Sequence, residues 1–389
     1  MTQIPFHAVR DWLYRDALPF WALRGIDDVH GGFLEELSSA GAPTKCAFKR
    51  VRVQCRQTYV FSHAAVLDWP AGEALSHLGF EYLRTKARLG DEGWARVLSR
   101  SGAVIDGAPD LYDLAFVLFA SAWRYRACGE AWPLKCAHEV LDFIEERMAA
   151  PLGGYWPALP ATEVILQNPL MHLTEACLGA YEATRHERFL DKAGELVGLF
   201  RTKLFDGRTL AERFTPDWRR LSSDQGCLVE PGHHFEWAWI LAQYQRLTGE
   251  DVADEARALA HFAERCGVDQ SCGAVYDAIT DGASLIRSSS RLWTNTERIK
   301  AYLALFELTG RDPTSEICSS LSLIFERYFA NARRGLWVDH FDCDGRPIST
   351  AVPASIVYHL FLAFQELLRL EPALKASRLA LEQPLQSGA

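Results

Sequence analysis

The sequence predicts an all-α protein that folds as an (α/α)6 barrel, in which six outer helices surround six inner ones. Amphipathic helical patterns alternate with more apolar ones along the 389 residues. The apolar helices repeat at a nearly constant step, because small residues recur in them 61 to 63 positions apart, at Ala115, Ala176, Ala238, Ala301 and Ala363. A step of about 60 residues accommodates one helical hairpin with its loops, and such self-similarity is typical of repeat architectures.

Two architectures have such a repeat, an open solenoid and a closed ring of hairpins. An open solenoid needs polar terminal caps and short, nearly identical repeats of about 30–45 residues. The loops of this chain are long and differ between repeats, and its final helix is as apolar as the middle ones. We therefore expect a closed barrel that forms a single domain over residues 1–389.

The first part of the chain is expected to supply one outer helix, a hairpin and the first inner helix. An amphipathic pattern covers residues 5–24, and glycines break the chain at Asp27–Phe33. Ser38–Pro43 is typical of a short hairpin turn. The first inner helix is expected to open at Lys49 and to run into Ala65.

The remaining chain repeats one pattern, an amphipathic helix, a loop rich in Gly, Pro and Asp, and an apolar helix. The apolar helices are expected to open at Asp110–Phe116, Gln167–Ala176, Glu230–Leu241, Leu292–Ala301 and Pro353–Ala363. Strand signals are confined to loops, at Gly153–Trp156, Thr209–Phe214 and Gly335–Asp342, which predicts short β-hairpins there. Residues 373–389 lose the helical pattern, so we expect a loose C-terminal tail.

Composition limits the kind of partner. The formal net charge of -9 argues against nucleic acid or an anionic membrane surface as the main partner. The sequence has no signal-peptide pattern and no apolar run long enough to span a membrane. Its ten cysteines are scattered without a C-x-x-C pair, as expected for reduced thiols. We therefore expect a cytoplasmic protein that binds a small molecule, as a monomer or a homodimer.

Polar residues recur near the starts of the inner helices. The position four residues before the repeated alanine is polar in four of these helices, where it holds His172, His234, Glu297 and His359. In the fifth helix it holds the apolar residue Leu111. In a barrel these side chains point at one axial pocket, towards which the positive ends of the helix dipoles also point. Three histidines at equivalent positions of separate repeats indicate a functional site rather than isolated packing residues.

The helix start at Pro231–Leu241 carries two adjacent histidines followed by a carboxylate. Glu236 lies three residues after His233 and so on the same helix face. Burying an imidazole and a carboxylate side by side costs free energy, but such pairs are common in active sites that use acid–base catalysis. Aromatic residues accompany these polar positions, and Arg56 is the cation of its helix expected to face inward. This mixture suits a sugar, whose C–H faces stack on rings while its hydroxyls form hydrogen bonds.

Five pieces of the sequence, in this order, resemble the N-acylglucosamine 2-epimerase superfamily, which includes cellobiose 2-epimerases, mannose isomerases and sulfoquinovose isomerases. The pieces are Gln54–Arg56 with Tyr59, Asn168–Glu175, Pro231–Trp237, Arg291–Glu297 and Tyr358–His359. The resemblance covers most of the chain, and the fold that it implies is again the (α/α)6 barrel.

By this resemblance, His233 and His359 are the catalytic acid and base, and we expect Glu236 to orient His233. The resemblance thus implies that His233 is the catalytic histidine, whereas the repeat register indicates His234. We expect the side chain of His234 to pack to the side of the helix and not into the pocket. His172 is implied to bind substrate hydroxyls or to assist ring opening. The other substrate-binding residues are expected to be Arg56, Tyr112, Asn168, Trp293 and Glu297.

Within the superfamily, the sequence is most similar to the mannose isomerase branch. This implies conversion of free D-mannose into D-fructose without a cofactor, through a cis-enediolate, with histidine moving the proton. The alternative is an N-acylglucosamine 2-epimerase or another sugar 2-epimerase. The nucleotide-binding pattern G-x-x-x-x-G-K-[ST] does not occur in the sequence.

Three other functions stay open from the residues alone. One is a metal-dependent hydride-shift isomerase, which no short ligand spacing supports and whose ligands would be His172, His233, Glu236 and His359. Another is an inverting glycoside hydrolase that uses two carboxylates such as Glu236 and Glu297. The third is a helical-repeat binding protein without activity.

Overall fold

The computed structural model describes residues 3–221 and 226–382, with side chains up to residue 379. Within these ranges, twelve helices alternate between an outer and an inner layer, and together they form an (α/α)6 barrel. The outer helices are α1 (Phe6–Asp11, Trp12–Ala17 and Leu18–Arg24), α3 (Gly72–Tyr82 and Leu83–Ala87), α5 (Ala131–Arg147), α7 (Glu187–Leu199 and Phe200–Leu204), α9 (Ala253–Gly267) and α11 (Thr314–Leu323 and Ile324–Tyr328). The inner helices are α2 (Val51–Val66), α4 (Leu111–Cys128), α6 (Gln167–Thr184), α8 (Pro231–Thr248), α10 (Leu292–Thr309) and α12 (Ile356–Glu382).

The two layers differ in how they are buried. Every residue of 231–244 in α8 and of 292–305 in α10 is buried, so these inner helices are enclosed on all sides. The outer helix α9 buries one face, on which Ala256, Leu259 and Ala263 follow helical spacing. A helix buried all round needs protein on every side, whereas an amphipathic helix covers a core with one face.

Short antiparallel strands link the repeats into a ring at the end where the inner helices begin. The segment that precedes each inner helix pairs with the loop that precedes the next one. In chain order the pairs are Phe48–Arg50 with Val97–Ser99, Asp110 with Ala158, Ile165–Leu166 with Arg213–Phe214, Leu228–Val229 with Ala278–Thr280, and Ser290–Arg291 with His340–Phe341. The sixth segment, Ala351–Pro353, pairs with Glu36–Ser38 of the first repeat and closes the ring. The hairpin strands Val104–Asp106 and Leu285–Arg287 widen two of these sheets.

Side chains make the same closure between the last inner helix and the first elements. The Gln57 amide donates to the Ala354 carbonyl oxygen at 2.7 Å, and the Gln365 amide donates to the Tyr14 hydroxyl at 2.7 Å. The predicted closed barrel is therefore confirmed, and the chain does not form an open solenoid.

Two predicted boundaries differ from the structure. The first inner helix begins at Val51 rather than Lys49, because Phe48–Arg50 is drawn into the inter-repeat sheet. The last inner helix continues past Ala373 to Glu382, where a loose tail was expected. It continues because Leu374 is buried on the N-terminal elements and Arg10 pairs with the preceding turn through Glu371. The rest of the expected tail, residues 383–389, lies outside the described residues.

The predicted hairpin at Ser38–Pro43 is confirmed by the bridge between Leu37 and Pro43. Among the described residues, none of the helices combines the length with the apolar composition that a membrane crossing requires.

Candidate active site

Polar side chains from four inner helices meet at the end of the barrel where these helices begin. They are His172 and Glu175 of α6, Glu236 of α8, Glu297 of α10 and His359 of α12, and each is exposed by 4% or less. Ligand-type atoms of the first three lie within 4.8 Å of one another, as do those of the last three. Glu236 belongs to both groups, so it lies between two histidine–glutamate pairs.

Glu236 is the residue without a partner in this cluster. Within the described residues, neither of its buried carboxylate oxygens has a hydrogen-bond partner, and His172 Nδ1 lies 3.9 Å from Oε1. A buried polar group without a partner costs about 1–3 kcal/mol, and more when it is charged. The carboxylate is therefore placed to bind a polar molecule on the barrel axis.

His359 is held by Glu297, which Lys300 in turn supports. His359 Nδ1 lies 2.8 Å from Oε1 of Glu297, and Lys300 Nζ lies 2.7 Å from Oε2. Lys300 is fully buried over the ring of Trp239, 4.2 Å from its centroid. Burial, with the nearby charges of Arg56 and Lys300, holds the pKa of His359 well below its usual range. His359 is therefore a neutral imidazole whose Nδ1–H donates to Glu297, which leaves Nε2 able to accept a proton.

His233 has a different partner from the expected Glu236. Its Nδ1 lies 2.9 Å from Oε2 of Glu212 and 3.1 Å from the Gln167 amide nitrogen. The expected pairing with Glu236 is wrong because the first turn of α8 directs His233 towards the inter-repeat sheet, while Glu236 lies nearer the axis beside His172. Glu212 directly precedes the strand Arg213–Phe214 of that sheet.

The two histidines that flank the pocket differ in charge. Burial alone would lower the pKa of His233, but the charge of Glu212 and the hydrogen bond to it outweigh burial and raise this pKa to about 9. His233 is thus an imidazolium at neutral pH while His359 is a neutral imidazole. Trp293 lies between them, with its ring centroid 5.3 Å from that of His233 and 5.5 Å from that of His359.

His172 is oriented by its own helix. Its Nδ1 lies 3.0 Å from Oε2 of Glu175, three residues along α6, and the Tyr358 hydroxyl donates to the other oxygen of Glu175. Burial would raise the pKa of Glu175, but the hydrogen bond and charge of His172 outweigh burial and lower it. The edge of the Tyr112 ring meets the His172 ring at a centroid distance of 4.8 Å. One face of the pocket is therefore formed by a fixed imidazole.

Arg56 faces the same pocket, as the sequence predicted. It donates to the Tyr112 hydroxyl at 2.7 Å and to the Ser355 carbonyl oxygen at 3.3 Å. Its guanidinium carbon lies 4.5 Å from the ring centroid of Phe116 and 4.9 Å from that of Tyr358. This stacking fixes a positive charge beside the histidines. Within the described residues the Nε atom of Arg56 has no partner.

His234 faces away from the pocket. Its Nε2 accepts a hydrogen bond from the Leu210 backbone N–H at 3.0 Å, and its ring packs 5.4 Å from that of Phe262 in the outer layer. Burial lowers the pKa of His234 to about 4, so this ring is neutral. The repeat register therefore predicts the wrong pocket residue at α8, since it indicates His234, which packs against the outer layer. Asn168 is half-buried, and its Oδ1 has no partner within the described residues.

Three residues that support the histidines were not predicted from the sequence: Glu175, Glu212 and Lys300. Glu175 follows His172 by three residues, and Lys300 follows Glu297 by three, so helical spacing could have found both. Glu212 lies in a loop before a two-residue strand, where no periodicity marks it. Only the pairing between repeats brings it to His233.

The carboxylates and histidines on the axis could also offer ligands to a cation. Two sets of three ligand atoms lie within 4.8 Å, one formed by His172, Glu175 and Glu236 and one by Glu236, Glu297 and His359. In each set, however, one histidine and one carboxylate are already hydrogen-bonded to each other. Lys300 places a fixed ammonium beside the second set, which weakens it as a metal site.

Comparisons with known proteins identify the group to which this geometry is related. A sequence model of the family described as N-acylglucosamine 2-epimerase (GlcNAc 2-epimerase) matches residues 31–363. A mannose-6-phosphate isomerase of Rhizobium meliloti is 31% identical over 367 residues, which is 92% of this chain and 95% of that protein. A D-mannose isomerase of Thermobifida fusca is 29% identical, over 94% of this chain and 96% of that protein.

The fold has solved counterparts. The structure of cellobiose 2-epimerase from Bacillus thermoamylovorans B4167 superposes with a TM-score of 0.85 at 20% identity, over 94% of this chain and 98% of that chain. This likeness supports the twelve-helix barrel seen here.

Proposed function

Because the chain belongs to the N-acylglucosamine 2-epimerase family, whose members are sugar isomerases and epimerases, we propose that it converts free D-mannose into D-fructose without a cofactor. The observation that carries this proposal is the pair His233 and His359, which flank Trp293 and differ in charge. Glu212 keeps His233 protonated, whereas burial and the charges of Arg56 and Lys300 keep His359 neutral. A neutral base and a cationic acid across one small pocket are what proton transfer at a sugar carbon requires.

The proposed reaction begins with ring opening. His172, oriented by Glu175, and the unpartnered carboxylate of Glu236 are placed to bind the hydroxyls of the sugar and to move the proton between O1 and the ring oxygen. Opening of the pyranose gives the aldehyde, in which the C2 proton is acidic because the carbonyl is adjacent. The ring of Trp293 offers a flat apolar face to the chain of carbons.

Proton transfer between carbons follows. Nε2 of His359 removes the proton from C2, and the electron pair forms a cis-enediolate whose negative charge lies on O1. The His233 imidazolium and the guanidinium of Arg56 stabilise this charge. His359 returns its proton to C1, and the His233 imidazolium gives a proton to O1. The neutral His233 then takes up the proton that leaves O2 as the C2 carbonyl forms, so that both histidines return to their starting states and the protons balance.

The charge states favour isomerisation over epimerisation at C2. Epimerisation with two bases needs each histidine to act as a base for one of the two epimers. His233, whose pKa is raised to about 9, is almost always protonated near neutral pH and so rarely serves as a base. A single base, His359, that serves both C2 and C1 from one face gives the ketose.

The charges beside the pocket support a sugar without a phosphate group. Arg52, above the Tyr112 ring, is held by Asp113, with N–O distances of 3.2 and 2.7 Å. Arg291, beside Trp293, is held by Asp277 at 2.9 Å. A phosphate would need cations that can form charge-assisted hydrogen bonds with it, and these guanidinium groups already have carboxylate partners.

Cysteine usage supports a cytoplasmic location. No disulfide bond joins any of the cysteines within the described residues. Thiols that stay reduced are typical of cytoplasmic proteins.

A panel of sugars tests the proposed reaction. The protein is incubated separately with D-mannose, D-fructose, D-glucose, N-acetyl-D-glucosamine, cellobiose and D-mannose 6-phosphate, and the products are separated by chromatography. We expect D-mannose and D-fructose to interconvert, with little C2 epimer. Exclusive formation of a C2 epimer, or conversion of the phosphate ester but not of the free sugar, would contradict the proposal.

A further inference from the structure

A second cavity lies at the opposite end of the barrel, where the inner helices end. Its volume is about 440 Å³, within the range of small-molecule sites. It is lined by the later turns of α2, α4, α6 and α8, by residues 362–369 of α12 and by the first outer helix. His172, His233 and His359 do not line it, and of the polar cluster on the axis it contacts Glu175.

The inner wall of this cavity is aromatic. Tyr59, Phe119, Trp123 and Trp239 line it, together with His63. The His63 ring stacks on Trp123 at a centroid distance of 4.0 Å, and its Nδ1 lies 3.0 Å from the Tyr59 hydroxyl. Burial lowers the pKa of His63 to about 3, so this ring carries no charge. The wall is therefore mainly aromatic, and the Arg126 guanidinium lies over the Trp123 ring, 4.8 Å from its centroid.

Two hydrogen-bond donors of the wall have no partner within the described residues. They are the indole N–H of Trp123 and the amide nitrogen of Gln243, and both residues are 7% exposed. The Gln243 oxygen already accepts from Arg246, which fixes the amide group with its nitrogen unpaired. Buried donors are normally satisfied, so these two point to a ligand that supplies acceptor atoms.

The charges around the mouth of the cavity are already balanced. Arg126 and Arg246 share Glu182 at 3.6 and 3.2 Å. Arg369 is paired with Glu366 at 2.9 Å, and its other partner is Glu307. Helix carbonyl ends also point to this end of the barrel and disfavour anions. A charged ligand would have to break these pairs, so a neutral one is favoured.

From these features we propose that the cavity is a second ligand site, which binds a neutral, ring-shaped polyhydroxyl compound the size of one or two sugar rings. The apolar face of such a ring packs against the aromatic wall, and its oxygen atoms accept from Trp123 and Gln243. The proposal goes beyond the catalytic function and does not depend on it.

Two connections join this second site to the candidate active site. Glu175 lines the cavity and is also the hydrogen-bond partner of His172. Trp239 also lines the cavity, and the ammonium group over its ring belongs to Lys300, the ion-pair partner of Glu297. A ligand in the cavity therefore contacts residues that hold two of the active-site histidines in place through Glu175 and Glu297.

The test uses indole N–H signals in the full-length protein labelled with ¹⁵N-tryptophan. Signals of Trp123, Trp239 and Trp293 are assigned from single Trp→Phe variants, and methyl α-D-mannopyranoside is the probe, because a glycoside cannot open its ring. We expect saturable shifts of Trp123 and Trp239 with one dissociation constant, distinct from that of Trp293. Gln243→Met, which keeps the side-chain volume but removes the donor, should weaken the Trp123 titration about fivefold and leave Trp293 unchanged.

The outcomes separate the two sites. Absence of saturable shifts at Trp123 and Trp239 would overturn the second site, as would shifts that Gln243→Met leaves unchanged. Shifts of Trp123 and Trp239 that inorganic phosphate or acyclic D-mannitol produces equally well would also overturn the second site. Shifts at Trp123 and Trp239 without any at Trp293 would support the second site while counting against sugar binding in the candidate active site.

Discussion

Glu212 and His233 are joined by a hydrogen bond of 2.9 Å, although 21 residues separate them in sequence. The strand that follows Glu212 pairs with the segment before α6, so the same sheet that links two repeats delivers the carboxylate to the imidazole. This contact raises the pKa of His233 against the effect of burial. The link between two neighbouring repeats and the charge of the pocket therefore depend on the same short sheet.

Removing the charge of Glu212 should change the pH profile of the reaction. In Glu212→Gln the hydrogen bond can persist, but the carboxylate charge that most opposes burial is lost, so the pKa of His233 falls from about 9. A smaller fraction of His233 is then protonated, and we expect kcat at pH 7.5 to fall by about 10²-fold, with the alkaline limb moved to lower pH. An unchanged alkaline limb in this variant would show that His233 is not the acid.

The two adjacent histidines of α8 should behave differently from each other. We expect His233→Asn to lower kcat by roughly 10³-fold with the fold retained, as circular dichroism would check. His234→Asn, the matched control one residue later, should lower the melting temperature but keep kcat within a few fold, because His234 bonds to Leu210 and packs on Phe262. Equal losses of kcat in the two variants would contradict this assignment.

The loss of stability on replacing Lys300 should depend on the charge of Glu297. Breaking a buried ion pair by removing one partner costs about 3–5 kcal/mol, so Lys300→Met should be strongly destabilised in urea unfolding. The double variant Lys300→Met/Glu297→Gln removes both charges of this pair, and its amide oxygen can still accept from His359. We expect it to recover more than half of the lost stability, and a double variant as unstable as Lys300→Met would contradict the pairing.

Acid should destabilise the protein partly through two buried neutral histidines. The pKa values of His63 and His234 are lowered to about 3 and about 4, below an unfolded value of about 6.5. The unfolded state therefore binds more protons between pH 6.5 and 4, and stability falls as the pH falls through this window, by about 1.4 kcal/mol per unit for each histidine. In urea unfolding, His63→Gln should reduce the slope of the free energy of unfolding against pH by about 1.4 kcal/mol per unit. An unchanged slope would show that His63 does not take up a proton on unfolding.

The repeat pattern predicted the fold because a closed ring of hairpins buries its inner helices on all sides, and this burial leaves a clear periodic signal. The same signal brought His172, Glu297 and His359 to one pocket. At α8 it selected His234 in place of His233, since the first turn of a helix does not keep the ideal face. The resemblance to known sequence motifs corrected that choice.

The partner of His233 could not be predicted in the same way. Spacing along α8 suggested Glu236, and the identical spacing in α6 does describe His172 and Glu175. Side chains three residues apart share a helix face, but tertiary contacts decide whether they meet. Glu236 instead lies unpartnered on the axis, and Glu212 comes from a loop whose position depends on pairing between repeats.

The central claim, proton transfer between C2 and C1 by His359, is tested most directly by running the reaction in deuterium oxide. D-Mannose is converted by the wild-type protein, and the position of deuterium in D-fructose is read by NMR, with His359→Asn as the inactive control. The account predicts deuterium at C1 of the product, at a level set by how fast the imidazole proton exchanges with solvent. Fructose that forms at full rate in His359→Asn, or that never carries deuterium at C1 in the wild type even when the reaction is driven to equilibrium, would contradict it.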